Sequence, residues 1–228
     1  MGYESNQTHN SQFIIHNSKF KEMKILAVGM NYALHNTELN GSTPLPTEPV
    51  IFSKQESSLL RDHKPFFVPD FAERFDYETE IVVKIAHVGK DISERFAHRY
   101  YNEVTVGIDF TARDLQEKLR KAGHPWDICK GFDGSAAVGE FVKLDELGGD
   151  VQNLEFHLEK NGETVQTGFT KDMVFSVDKI IAYCSKFFTL KTGDLIFTGT
   201  PVGVGPVKEN DILEGYIGDK KVLRQKIK

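Results

Sequence analysis

Three carboxylates on two predicted neighbouring strands are the residues best suited to chemistry. Residues 77–85 alternate in hydrophobicity as a strand does, so Glu78 and Glu80 point to the same face. Asp109 ends the next predicted strand and joins them if the two strands are neighbours. Three carboxylates without a Cys or His beside them favour a hard cation, Mg²⁺ or Mn²⁺, over zinc. Simpler interpretations stay open: the glutamates face water, and Asp109 caps a turn.

Two further groups could transfer protons or offset charge. His35 and Glu38 stand three apart after the first predicted strand, and on a helix Glu38 would orient the imidazole as a general base for water. A surface ion pair explains this spacing equally well. Lys130 follows the apolar Cys129 in a predicted loop. If desolvated, it would offset the charge of an enolate, whereas most lone lysines are solvated.

Three polar residues are candidates for substrate binding. Arg113 and Gln116 are three apart on the first turns of a predicted helix, where they could bind a substrate carboxylate or support packing. The glycine-rich run at residues 198–205 has neither the lysine of a phosphate loop nor the dinucleotide glycine spacing. Its backbone amides and the Thr200 hydroxyl are therefore expected to line a pocket.

The elements that must position these side chains are mostly short strands. Alternating apolar residues and turn signals predict strands at 24–29, 77–85, 104–109 and 195–198, a hairpin at Asn161-Gly162 and two strands around Gly218-Asp219. Gly107, inside the third of these, predicts a close backbone approach. Helices do not alternate regularly with strands, so the fold class is a strand-rich α+β arrangement.

Helical spacing of apolar residues predicts three helices. They are expected at residues 91–101, from Thr111 to Gly123, and at 176–188 with Phe188 on the buried side. Asp91 is expected to cap the first helix, and Thr111 with Asp114 has the spacing of a capping box for the second.

Composition places the chain among single-domain globular proteins. Its 228 residues, 39 % of them hydrophobic, fit one core, predicted as a domain at 13–228 after a flexible tail at 1–12. The net charge of −5 offers no attraction for nucleic acid or anionic membranes. Two cysteines fit a reducing cytosol, so a cytoplasmic location is expected. A small-molecule substrate is the expected partner.

Five stretches in order resemble the fumarylacetoacetate hydrolase family. They are GMNYALHNTEL (29–39), FDYETEIVV (75–83), GIDFTARDLQ (107–116), CKGFDGSAAVG (129–139) and LKTGDLIFTGTPVGVGPV (190–207). The length is similar to the single-domain branch, which includes acylpyruvate hydrolase and oxaloacetate decarboxylase. The resemblance implies a mixed β-sandwich roll, a homodimer, and Mg²⁺ or Mn²⁺ ligands at Glu78, Glu80 and Asp109.

The same resemblance assigns roles to the other candidates. His35 and Glu38 match a water-activating pair, and Lys130 matches an active-site lysine. The substrate-contacting positions of the family match Arg113, Gln116 and Thr200. The function expected first is metal-dependent hydrolysis of a C–C bond in acylpyruvates through a pyruvate enolate. Alternatives are decarboxylation of oxaloacetate, isomerisation or hydration of 2-oxo-dienoates, and a non-catalytic binding module with this fold.

Overall fold

Short strands form most of the ordered chain. The computed structural model describes residues 23–35, 44–60 and 64–228, and within them fourteen strands form three sheets. The strands are β1 (Ile25–Gly29), β2 (Val50–Lys54), β3 (Phe75–Tyr77), β4 (Thr79–Ile85), β5 (Tyr101–Asp109), β6 (Thr111–Ala112), β7 (Ala136–Val138), β8 (Val142–Lys143), β9 (Glu155–Lys160), β10 (Glu163–Phe169), β11 (Leu195–Phe197), β12 (Gly205–Pro206), β13 (Ile212–Ile217) and β14 (Lys220–Lys226).

The described residues contain few helices, and these helices are short. The α-helices with both ends described are α1 (Arg113–Ala122), α2 (Asp127–Lys130) and α3 (Val177–Phe187), and residues 33–35 are helical as well. Five 3-10 segments lie at Glu56–Ser58, Glu94–Tyr100, Leu144–Leu147, Val151–Asn153 and Thr170–Asp172. No helix of the described residues has the length and apolar character needed to cross a membrane. The predicted tail at 1–12 lies outside the described residues.

A seven-stranded mixed sheet curls into a roll. Its strand order is β2-β1-β11-β4-β5-β7, with β8 also paired to β5. Leu59, just after β2, forms a parallel bridge with Ala136 of β7, which brings the two ends of the sheet together. One face of the sheet encloses a small apolar cluster around Val82 and Phe197. The predicted strand-rich α+β roll is confirmed.

The outer face of the roll carries the main core. Ile81, Val83 and Val106 project from this face and belong to one large buried cluster. The cluster also includes Phe156 and Leu213 from a second, four-stranded sheet of order β10-β9-β13-β14. Both faces of β4 are therefore buried, and this close packing makes the strand a rigid support for the residues at its two ends.

Several predicted elements are confirmed. The Asn161-Gly162 hairpin joins β9 to β10, with positive φ angles of 56° and 86° that suit a tight two-residue turn. The Ser176 side chain accepts a hydrogen bond from the Lys179 N–H and caps α3. Gly123 ends α1 in the left-handed region, as expected for a C-terminal glycine.

Other predictions at the helices are wrong. Residues 91–101 contain a 3-10 segment beginning at Glu94, and Asp91 has a φ of 51° outside it. Thr111 lies in β6 and α1 begins at Arg113 without a side-chain cap, because the Thr111 hydroxyl bonds the Asp109 carbonyl instead of a helix amide. Phe188 follows α3 and stays 38 % exposed, so it is not on the buried side.

The strand predicted at 77–85 is also different. It is interrupted at Glu78: β3 belongs to a three-stranded sheet with β6 and β12, whereas β4 pairs with β5 in the large sheet. The simpler interpretation, in which the two glutamates face water, is wrong, since Glu78 and Glu80 are both buried.

The close approach predicted at Gly107 gives a test of the roll. A Cβ there would lie 2.5 Å from Val82 Cγ2 and 2.9 Å from the Ala137 carbonyl oxygen. Gly107→Ala should lower the free energy of unfolding by about 3 kcal/mol in urea titrations, because the backbone oxygen cannot move aside. Gly123→Ala is the control: nothing lies within 4 Å, and only its left-handed φ costs about 1 kcal/mol. Equal losses would contradict the tight contact.

Candidate active site

Three buried carboxylates meet at the break between β3 and β4. Glu78, Glu80 and Asp109 each offer an oxygen within 4.8 Å of the others. The Asp109 N–H donates to the Glu78 carbonyl at 2.8 Å, which fixes the end of β5 against the break. The structure thus brings together the three residues expected as metal ligands.

The donor set fits a hard divalent cation. All three groups are carboxylates and all are buried, where negative charge is unfavourable unless cations balance it. Oxygen-only ligands of this kind suit Mg²⁺ or Mn²⁺.

Lys130 lies at the centre of this cluster. Its Nζ is 2.7 Å from Glu78 Oε2, 2.9 Å from Asp109 Oδ2 and 2.7 Å from the Thr111 hydroxyl. The residue ends α2 and is 3 % exposed, so the expected loop and the solvated alternative are both wrong. Packing of α2 against β2 and β6, rather than any local sequence signal, causes this burial.

A second buried lysine, Lys54, completes the cluster. Its Nζ lies 2.6 Å from Asp109 Oδ1, and it also donates to the Lys130 carbonyl and to the Ser135 carbonyl and hydroxyl. Lys54 was not among the site residues predicted from the sequence. The only available signal was an apolar strand, VIFSK, that ends in a charge.

Arg113 is committed to protein groups. Its Nη2 donates to Glu78 Oε1 at 2.5 Å, its Nε to Asp76 Oδ2 at 2.8 Å and its Nη1 to Gln116 Oε1 at 2.7 Å. Asp76, which sequence analysis missed, also pairs with the exposed Arg74. These bonds favour the packing alternative for Arg113, whose guanidinium orients Glu78 and the Gln116 side chain.

The remaining candidates line one cleft above the carboxylates. His35 is buried there, together with Gln116 and Thr200. Glu38, its expected partner, lies outside the described residues. The enclosed part of the cleft measures about 60 Å³, which suits a small ligand. Phe52, Trp126 and Arg120 also line the cleft and were not among the residues predicted from the sequence.

The loop after β11 holds Glu80 from the side. Gly199, with a φ of 99°, donates its N–H to Glu80 Oε2 at 2.7 Å. A Cβ on Gly199 would lie 2.7 Å from Asn31 Cβ, so glycine is required for this approach. The Asn31 amide in turn donates to the Thr198 carbonyl at 2.7 Å.

The surroundings shift the pKa values of the two glutamates in opposite directions. Burial alone would raise the pKa of Glu78, but Lys130 and Arg113 together hold it well below its ordinary value. Burial, with Asp109 and Glu78 nearby, raises the pKa of Glu80 well above its ordinary value. A divalent cation between them would reverse that second shift.

The two buried lysines also differ. Burial opposes the charge on Lys130, but Asp109 and Glu78 outweigh it and raise the pKa, which keeps the ammonium protonated. Burial lowers the pKa of Lys54 despite its pairing with Asp109. Lys130 is therefore the better source of permanent positive charge beside the carboxylates.

Comparison with known proteins gives consistent matches over the described fold. A family model described as fumarylacetoacetate (FAA) hydrolase C-terminal matches residues 24–228. Oxaloacetate tautomerase YcgM of Escherichia coli is 40 % identical over 190 residues, covering 83 % of this chain and 86 % of that protein. Oxaloacetate tautomerase FAHD1 of Mus musculus, named as mitochondrial, is 41 % identical and covers 90 % and 91 %.

Solved structures agree with these matches. A putative fumarylacetoacetate hydrolase family protein from Yersinia pestis has a TM-score of 0.84 at 39 % identity, covering 90 % of this chain and 93 % of that one. Fumarylpyruvate hydrolase from Pseudomonas aeruginosa, in complex with Mn²⁺ and pyruvate, has a TM-score of 0.81 at 32 % identity, with 93 % of both chains covered.

The opposite pKa shifts predict opposite effects of removing each charge. In protein treated with a chelator near pH 7.5, Glu80→Gln should raise the free energy of unfolding, because the amide removes a carboxylate that the site disfavours. Its oxygen can still accept from Gly199. A folded-state pKa above the ordinary 4.5 opposes folding only at higher pH, so the gain should vanish as the pH falls below that value.

Glu78→Gln should instead lower the free energy of unfolding by about 3–5 kcal/mol, because it leaves Lys130 and Arg113 short of an anion. The folded-state pKa of Glu78 is below 4.5, so its contribution is present above that pH and is lost as the pH falls further. Urea titrations at several pH values measure both variants. A change in the free energy of unfolding with the same sign for both variants would contradict this electrostatic description.

Proposed function

Because the chain belongs to the fumarylacetoacetate hydrolase family, whose members are enzymes, we propose that it is a metal-dependent enzyme acting on 2-oxo acids. The reaction we propose first is the keto–enol tautomerisation of oxaloacetate, after the relatives named for it. The observation that carries the proposal is the buried set of Glu78, Glu80 and Asp109 with the Lys130 ammonium among them.

The three carboxylates are the groups that would hold Mg²⁺ or Mn²⁺. When bound, such a cation supplies Lewis acidity toward the 2-oxo and carboxylate oxygens of a substrate. The neighbouring fumarylpyruvate hydrolase with Mn²⁺ and pyruvate supports this choice of ion and ligand.

The side chains of the cleft have distinct roles in the proposed reaction. His35 accepts the proton when the C3–H bond of the oxo acid breaks, and returns it to the C2 oxygen as the enol forms. Lys130 offsets the negative charge that develops on that oxygen, with its ammonium already oriented by Glu78 and Asp109. Gln116, held by Arg113, and Thr200 are proposed to contact the substrate.

Hydrolysis of acylpyruvates is the second candidate. It is supported by the burial of His35 in the cleft and by the likeness to fumarylpyruvate hydrolase. His35, paired with Glu38 in this proposal, would deprotonate a water that attacks the distal carbonyl, and the pyruvate enolate would leave. Decarboxylation of oxaloacetate would reach the same enolate without an attacking water.

Two further properties remain proposals. The proposal of a homodimer rests on the family resemblance alone, and native mass spectrometry tests it. A cytoplasmic location rests on two cysteines, Cys129 and Cys184, that are buried and unpaired.

Lys130→Met should reduce the enzymatic rate of oxaloacetate tautomerisation by about 10²- to 10³-fold, because a preorganised charge at the reacting oxygen is lost. The rate is followed by the absorbance of the enol, with Mg²⁺ present and again with chelator. Lys121→Met, an exposed change on α1, is the matched control and should behave as wild type. Circular dichroism verifies folding, and a folded Lys130→Met of normal rate would contradict the assignment.

His35→Gln separates the two cleavage reactions. Acetylpyruvate hydrolysis should fall by about 10²- to 10⁴-fold, as expected for loss of a general base. Decarboxylation of oxaloacetate should fall less, because it needs no water nucleophile. Pyruvate release assays measure both, and equal losses would argue against water activation by His35.

A further inference from the structure

The carboxamide of Gln166 closes a ring of hydrogen bonds beneath the cleft. The Thr79 N–H donates to Gln166 Oε1 at 3.1 Å, and Gln166 Nε2 donates to the Thr200 hydroxyl at 2.8 Å. That hydroxyl donates to the Thr79 carbonyl at 2.9 Å and completes the ring. Gln166 Nε2 also donates to the Pro201 carbonyl at 2.8 Å. All these groups are buried or backbone, so the ring is shielded from water.

Backbone groups fix the direction of every bond in this ring. The Thr79 N–H can only donate, and the carbonyls of Thr79 and Pro201 can only accept. The amide of Gln166 therefore has one permitted orientation, and the Thr200 hydroxyl donates its only proton to the Thr79 carbonyl. What remains on the Thr200 oxygen is an acceptor position.

A local irregularity of β10 delivers Gln166 to this place. The pairing with β9 shifts between Thr164 and Gln166, so Val165 is an extra residue that changes which face the next side chain occupies. Gly203, at a φ of 105°, lets the loop after β11 lie against this bulge. A Cβ there would be 2.8 Å from the Val165 carbonyl oxygen and 3.1 Å from Gln166 Cγ.

The ring acts on the site at two points. Thr79 is the residue between Glu78 and Glu80, so anchoring both its backbone groups sets how the two carboxylates are presented. Thr200 lines the cleft, where it can only accept a hydrogen bond. An oxygen that bears a proton, such as an enol or hydroxyl, is favoured there over a carboxylate or ketone oxygen.

We propose that Gln166 is a positioning residue that orients the Glu78–Thr79–Glu80 segment and makes Thr200 an acceptor for a protonated ligand oxygen. The inference rests on the proposed function, because that function assigns a metal to these carboxylates and places a tautomerising oxo acid in the cleft. It adds the form of the substrate that the site recognises, the enol.

Mn²⁺ binding without substrate tests the first part. Gln166→Met should raise the dissociation constant of Mn²⁺, measured by electron paramagnetic resonance, by about 10- to 100-fold, as outer-shell changes do. Gln225→Met is the matched control, because Gln225 is also a buried amide donating to two carbonyls, but on β14. It should leave the constant unchanged while losing comparable stability.

Thr200→Val removes the hydroxyl from the same ring of hydrogen bonds and keeps the volume of the side chain. It can therefore replace Gln166→Met in the Mn²⁺ measurement if Gln166→Met folds poorly. The double variant should bind Mn²⁺ no more weakly than the worse single one, because one ring is lost in each. Equal Mn²⁺ constants for Gln166→Met and Gln225→Met would overturn the inference alone. Absence of Mn²⁺ binding by the wild-type protein would overturn the proposed function and the inference with it.

Ligand choice tests the second part. In the Mn²⁺-loaded protein, Thr200→Val should weaken glycolate, whose hydroxyl can donate, by about 10-fold. Oxalate, which carries no proton at neutral pH, should bind within about twofold of wild type. An equal loss for the two ligands, or a loss confined to oxalate, would refute the acceptor role of Thr200.

Discussion

Pairing of opposite charges in a buried space is the interaction on which this structure depends. Asp76, Glu78, Glu80 and Asp109 are balanced by Lys54, Arg113 and Lys130, all of them nearly inaccessible to water. Charges in such a space are tolerated only when partners lie at hydrogen-bond distance, and losing one partner is strongly destabilising. The strand break at Glu78, the burial of α2 and the placement of β2 each supply a member of this set. Among these buried side chains there is one more anion than cation, and the divalent ion proposed above would offset that excess negative charge.

The local part of this arrangement could be predicted from the sequence, and the long-range part could not. Period-two spacing put Glu78 and Glu80 on one face, and strand ends located Asp109. The same spacing hid the break at Glu78, because alternation continues through a residue where the chain changes sheet. Lys54, Asp76 and Gln166 escaped notice because each acquires its role from a partner more than thirty residues away. For Gln166 the bulge at Val165 also altered the face that simple alternation assigns.

Helix prediction shows a similar division. The start of α3 near Ser176 and the glycine end of α1 are decided by neighbouring residues and were predicted. The capping role expected for Thr111 failed because its hydroxyl contacts Lys130 and the Asp109 carbonyl instead. Lys130 looked like an ordinary solvated lysine for the same reason, since nothing within a few residues of it reveals the carboxylates that surround it. Family resemblance supplied what local physics lacked, by aligning distant motifs that meet only in the folded chain.

The hydrogen bond from Gly199 to Glu80 spans 119 positions of the chain and has a consequence for biosynthesis. During translation the three carboxylates and the cations that pair with them are synthesised well before Gly199, so the nascent polypeptide carries these charged groups before the loop that holds Glu80. Contacts of such long separation form late and slow folding. The site therefore gains the backbone hydrogen bond that holds Glu80 only in chains that have been synthesised past Gly199.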